Sequence, residues 1–123
     1  MSIALFRRIA LSMPEAIESK HMGHPDFRVN NRIFASLFTP RDESGEDLDW
    51  LWGMVKLTPQ QQRKFVADHP KVFEAVSGGW GRGGATQVRL KPSPGQAVLR
   101  RAIQTAWRNT APRRLLDEQA DGD

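Results

Sequence analysis

Thirteen of the eighteen cationic side chains in this chain are arginine. Arginine meets phosphate and carboxylate through a planar fork, whereas lysine acts as a point charge, so the dominant chemistry on offer is anion recognition. The candidate set is Arg28 and Arg32 flanking an Asn-Asn pair, Arg82 inside "GGWGRGG", Lys91, Arg101, Arg108, and Arg113-Arg114 beyond Pro112. If the segments that carry them project on one side, these cations can straddle a DNA backbone. Such contacts give affinity with little sequence preference and a steep salt dependence. The competing account is solvated arginines in local ion pairs, each worth ~0–1 kcal/mol.

A second group surrounds "HMGHPD", with His21, His24 and Asp26. Zinc needs three or four ligands, and a chain without cysteine has no thiolate to complete a set, so no metal is expected. His24, Asp26 and Trp80 form a candidate pocket for a small ligand or a protein, provided that they meet at one end of the domain. Asp26 could orient His24 as a general base. The hydroxyls nearest in sequence, Ser36 and Thr39, have no nucleophile-elbow context. The carboxylates of "RDESGEDLD" fall in a solvated loop where nothing would raise a pKa. The sequence therefore assigns no catalytic residue and no cofactor, and reads as a non-enzymatic binding module.

The stretch "GGWGRGGATQVRL", residues 78–90, sets one tryptophan and one arginine among five glycines. It has no Gly-Lys-Ser/Thr and does not open a helix after a strand, so it is neither a P-loop nor a dinucleotide fingerprint. Consecutive backbone N–H groups could cradle an anion, with Arg82 as a fork and Trp80 as a stacking face. Alternatively the glycines supply positive φ for a sharp entry into a strand, and Trp80 covers one edge of the core. The second account fits Trp80 better; Arg82 fits either.

The charge is uneven. Nine of the fourteen acids lie in "RDESGEDLD" and in the tail "LDEQADGD", which leaves a basic body under a net charge of +4. A basic body suits a polyanionic partner. The length of 123 residues fits one domain with one core. No apolar run approaches the ~18–20 residues of a membrane span. "MSIALFRRIALS" is interrupted by Arg7 and Arg8 and reads as an amphipathic helix, not a signal peptide. Together with the lack of cysteine, this leads us to expect a cytoplasmic protein, a monomer or weak dimer, with no membrane partner.

Elements must position these groups. Residues 3–13 carry Leu5, Phe6, Ile9, Ala10 and Met13 at helical spacing, ended by Pro14. "DFRV" and "RIFASLF" predict strands joined at Asn30-Asn31, because asparagine tolerates the positive φ of a tight hairpin. "WLWGMVKL" predicts a central strand covered on both faces. "TPQQ" and "SPGQ" both predict capping boxes, with Thr58 and Ser93 as N-caps. The second of these helices buries Leu99, Ala102, Ile103 and Ala106, with Trp107 at the edge of the stripe. The order α-β-β-β-β-α-β-α describes an α+β, two-layer domain: an antiparallel sheet with helices packed on one side. The domain spans residues 1–116, and residues 117–123 are an acidic, flexible tail.

"HMGHPDFRVNNRIFASL", "GMVKLTPQQQRKFV", "GGWGRGGATQVRL" and "AWRNTAPRRL" follow the order and spacing of the MmcQ/YjbR family, and the chain resembles it from about Met13 to Leu115. Met22 stands where many members have an aromatic, as does Gly84-Ala85-Thr86. The resemblance implies a compact α+β domain with two projecting wings, and it implies DNA binding through them.

Overall fold

A computed structural model describes residues 2–21, 24–38, 52–90 and 94–122. The chain opens with α1 (Ser2–Ser12), which buries Phe6, Ile9 and Ala10. Four strands follow: β1 (Ile17–His21), β2 (His24–Val29), β3 (Arg32–Phe38) and β4 (Trp52–Lys56). Then come α2 (Pro59–Asp68), β5 (Phe73–Ala75), the short α3 (Gly79–Arg82), β6 (Ala85–Arg89), α4 (Gln96–Thr110) and α5 (Arg113–Gly122). The six strands form one open antiparallel sheet in the order β1-β2-β3-β4-β6-β5. Helix α4 packs on β3 and β4, α1 packs on α4, and α2 packs on β5 and β6. The chain is thus an α+β domain with its helices on one side of the sheet. Elements β5, α3 and α5 are additions to the order read from sequence.

Local signals explain most of the elements. Asn30 and Asn31 take φ of 52° and 62° and turn β2 into β3. At α2 the capping box is complete: the Gln61 N–H donates to Thr58 Oγ1 at 3.1 Å, and the Thr58 N–H donates to Gln61 Oε1 at 2.9 Å. The "SPGQ" segment differs. Helix α4 begins at Gln96 with Gly95 as an extended N-cap and no side-chain cap bond, while Ser93 lies outside the described residues. Strand β4 is central, and its consecutive Gly53, Met54 and Val55 are all buried: Gly53 abuts Phe6 of α1 and Val55 joins the core, while Met54, paired with Ser36 and Gln87, is on the opposite face of the sheet.

The core joins both layers. Trp107 is fully buried, not at the edge of the α4 stripe; its indole N–H donates to the Pro14 carbonyl at 3.1 Å and so ties α4 to the end of α1. Strand β3 carries a bulge. Pairing passes from Phe27–Ala35 to Arg28–Ile33 and skips Phe34. The adjacent Phe34 and Ala35 consequently both enter the core, which simple strand alternation forbids.

The acidic segment 41–49 lies outside the described residues. Residues 117–122 continue as helical backbone in α5, where sequence suggested a flexible tail. Buried Leu115 and half-buried Leu116 anchor its first turn.

Candidate nucleic-acid interface

The sheet register decides which candidate residues meet. Strand β2 runs toward the Asn30-Asn31 turn, β3 runs away from it, β4 runs back, and β6 runs away again. The β2–β3 turn, the C-terminal end of β4 and the α3 connection therefore share one end of the sheet. Arg28, Arg32, Lys56, Trp80 and Arg82 belong to that end. The opposite end holds His24, paired with His21, and the Trp52–Arg89 pair, where the guanidinium stacks 4.9 Å from the ring centroid.

This corrects the pocket imagined between His24 and Trp80. His24 opens β2, five residues before the hairpin end, and Trp80 sits at the far end of the strands, so the two do not share a site. Asp26 is spent elsewhere. It is 2% exposed, and its two oxygens accept from Arg28 Nε at 2.9 Å and Arg28 Nη2 at 3.1 Å. These hydrogen bonds hold the Arg28 guanidinium above its already high pKa, against a smaller opposing effect of desolvation. Among the described residues, no three His, Asp or Glu side chains gather as a metal-binding group.

Two clefts open at the hairpin end and share Lys56. One, of about 360 Å³, is lined by Arg28, Asn31, Arg32, Ile33, Lys56, Asn109 and Thr110. The other, of about 280 Å³, is lined by Lys56, Leu57, Gly79, Trp80, Gly83 and Ala85. Among the described residues, neither lining includes a carboxylate. Lys56 and Asn109, which the sequence did not single out, hold the center. The Asn109 amide donates to the Lys56 carbonyl at 3.1 Å and to Gln61 Oε1 at 2.7 Å, so the end of α4, the end of β4 and the start of α2 are locked together. The C-terminus of α4 brings partial negative charge here; Arg108 in its last turn offsets it.

The glycine stretch is a small folded unit. Gly81 packs directly on the backbone of Val76, where a Cβ would fall 1.6 Å from the carbonyl oxygen. Gly84 has φ of +112° and abuts the Leu57 carbonyl. Gln62 of α2 is buried and donates to the carbonyls of Gly81 at 3.0 Å and Ala85 at 2.9 Å. Trp80 does not cover the core. It is 66% exposed, with Lys56 Nζ 5.7 Å from its ring centroid.

The remaining cations divide. Arg32, Arg82, Arg108 and Arg113 are exposed. Arg114 makes a bidentate pair with Glu15, Nη1–Oε2 at 2.8 Å and Nη2–Oε1 at 2.9 Å. Arg101 lines a separate cleft between α2 and α4 with Lys64, Asp68 and His69, seven residues up the helix from Arg108. That spacing is ~10 Å along the axis, so Arg101 is not in the hairpin-end clefts. Lys91 lies outside the described residues. A larger cleft of about 560 Å³ between α2 and β5 is mostly apolar and contains both Arg63 and Glu74, and none of the candidate residues line it.

No helix among the described residues is long and apolar enough to cross a membrane. No curated protein matches the chain. Among solved structures, the crystal structure of Deinococcus radiodurans protein DR2400, with a domain named DUF419, is similar at a TM-score of 0.64 and 15% identity, over 85% of this chain and 75% of that one. At that identity the likeness is one of fold. A family model described as YjbR matches residues 11–109, from the last turn of α1 nearly to the end of α4, and the chain accordingly belongs to the YjbR family.

Proposed function

We propose that this domain is a non-enzymatic module that binds DNA with low sequence specificity, through the hairpin end of its sheet. One observation carries the reading. Three separate segments, the β2–β3 hairpin, the end of β4 and the α3 turn, bring Arg28, Arg32, Lys56 and Arg82 to one end, beside clefts whose described lining residues include no carboxylate. Phosphates are the natural occupants of such a surface, and backbone contacts fix position without reading sequence. Arg28 serves mainly as a structural partner of Asp26, so Arg32, Lys56 and Arg82 supply the free charge.

The test is fluorescence anisotropy of a labelled mixed-sequence duplex, titrated at several salt concentrations. Three phosphate contacts give a log–log salt slope of roughly −3. An Arg32→Ala, Lys56→Ala double variant should weaken binding on every sequence and flatten that slope by about 2. An absence of binding at low salt would overturn the reading.

A further inference from the structure

We infer that the partner at this end of the sheet is a single strand of nucleic acid, with one of its bases stacked on Trp80. The inference deepens the proposed function and rests on it.

The Trp80 indole is 66% exposed, so most of its apolar surface meets water, and it stands beside a cation in a cleft whose described lining residues include no acid. Its surroundings are built to accept something flat. Gly79 and Gly83 flank it in the cleft and carry no side chains, so a planar ring can approach the indole closely. Lys56 Nζ already lies 5.7 Å from the ring centroid, within reach of a phosphate next to a stacked base. Arg32 and Asn31 continue the polar lining in the neighboring cleft, which shares Lys56.

The backbone that carries the ring is pinned. Trp80 belongs to a turn held by Gly81 against Val76 and by the two hydrogen bonds from Gln62. A fixed backbone lowers the ordering cost of binding through the side chain it carries. A duplex hides its base faces in the stack, whereas every base of a single strand has a π-face available. An exposed indole therefore discriminates between the two forms by shape, while the cations serve both.

Three labelled ligands of equal length test this by anisotropy: oligo(dT), an abasic DNA strand, and a mixed-sequence duplex. Oligo(rU) is a fourth, to separate DNA from RNA as the source of the strand. Wild-type protein should bind oligo(dT) more tightly than the abasic strand or the duplex. Trp80→Ala should weaken oligo(dT) binding roughly tenfold and leave the abasic strand and the duplex unchanged. Trp80→Phe, which keeps an aromatic face, should retain most of the affinity. Trp80 is exposed, so these variants should fold; an unchanged melting temperature checks it.

Equal losses on oligo(dT) and the abasic strand, or duplex binding as tight as oligo(dT), would overturn the stacking inference and leave the DNA-binding reading standing. Failure of all the ligands to bind would remove that reading, and this inference with it.

Discussion

Gln62 of α2 and Gly81 of α3 are joined by a buried hydrogen bond of 3.0 Å, from the side-chain amide to a backbone carbonyl. The same amide nitrogen also donates to Ala85 at 2.9 Å, where β6 begins. One polar side chain thus adds a second hydrogen bond to two carbonyls that already accept backbone N–H groups, Gly81 from Gly84 and Ala85 from Val76. A Gln62→Leu variant keeps the volume and removes both side-chain bonds while the backbone bonds remain. At about 0.5–1.5 kcal/mol for each bond, it should lose about 1–3 kcal/mol of stability, read from urea denaturation. Loss below ~0.5 kcal/mol would mean that water replaces the amide.

Gly83 and Gly84 are neighbors with opposite requirements. Gly83 has ordinary helical φ of −81°, and a Cβ there would meet nothing closer than 3.5 Å. Gly83→Ala should be neutral or should stabilize by ~0.4–1 kcal/mol, by restricting the unfolded chain. Gly84 has φ of +112° and faces the Leu57 carbonyl, where a Cβ would stand 1.9 Å away. Gly84→Ala should cost roughly 3 kcal/mol or more, because both backbone segments must move. Thermal melts of the two variants make the comparison directly.

Arg28 and Arg32 lie beside the same turn but have different work. Removing Arg28 leaves the Asp26 carboxylate buried without its bidentate partner. Since the Arg28 side chain is 22% exposed, the cost of Arg28→Ala should fall at about 2–3 kcal/mol, below that of a fully buried pair. Arg32→Ala should change stability by less than ~0.5 kcal/mol. For DNA affinity, the expected effect of Arg32→Ala is a uniform loss across sequences. Chemical denaturation and anisotropy on the same two variants separate the roles.

The Glu15–Arg114 pair predicts a pH signature. Hydrogen bonds from Arg114, chiefly, and its charge hold the Glu15 carboxyl below the usual carboxylate range, against slight desolvation. A depressed folded-state pKa contributes stability at pH above the unfolded value, and that stability is lost as pH falls through the folded one. Glu15→Gln should therefore flatten the acid side of the stability–pH curve and leave the alkaline side alone. Both partners are more than half exposed, so added salt should shrink the difference. Melting temperatures over a pH series, at low and high salt, provide the check.

Much of the fold was legible because it rests on short-range chemistry. The Asn30-Asn31 turn, the Thr58–Gln61 capping box and the buried stripe of α4 each follow from residues within one or two turns of chain. What escaped depends on distant partners. Strand β5 is three residues long and exists because β6 pairs with it. Helix α3 is built from poor helix formers and is held by Gln62, about twenty residues away. Residue type alone marks the arginines at the hairpin end. Lys56 closes an apolar strand, and only the register puts it between Arg32 and Trp80. An exposed charge at the end of a buried strand was the available signal. The His24–Trp80 pairing failed for the same reason in reverse: both sit in loop-like sequence, and their opposite ends of the sheet follow from strand direction.

The bulge at Phe34 has a consequence for how this domain can change. It resets the alternation of β3 between the half that pairs with β4, from Ala35 to Phe38, and the tip that carries Arg32. The packed half and the cationic tip are therefore out of phase with each other. A one-residue insertion or deletion at this position would re-aim the tip while the core half kept its register. The hairpin can in that way acquire a different set of outward side chains by a change in length alone, with the interior left intact.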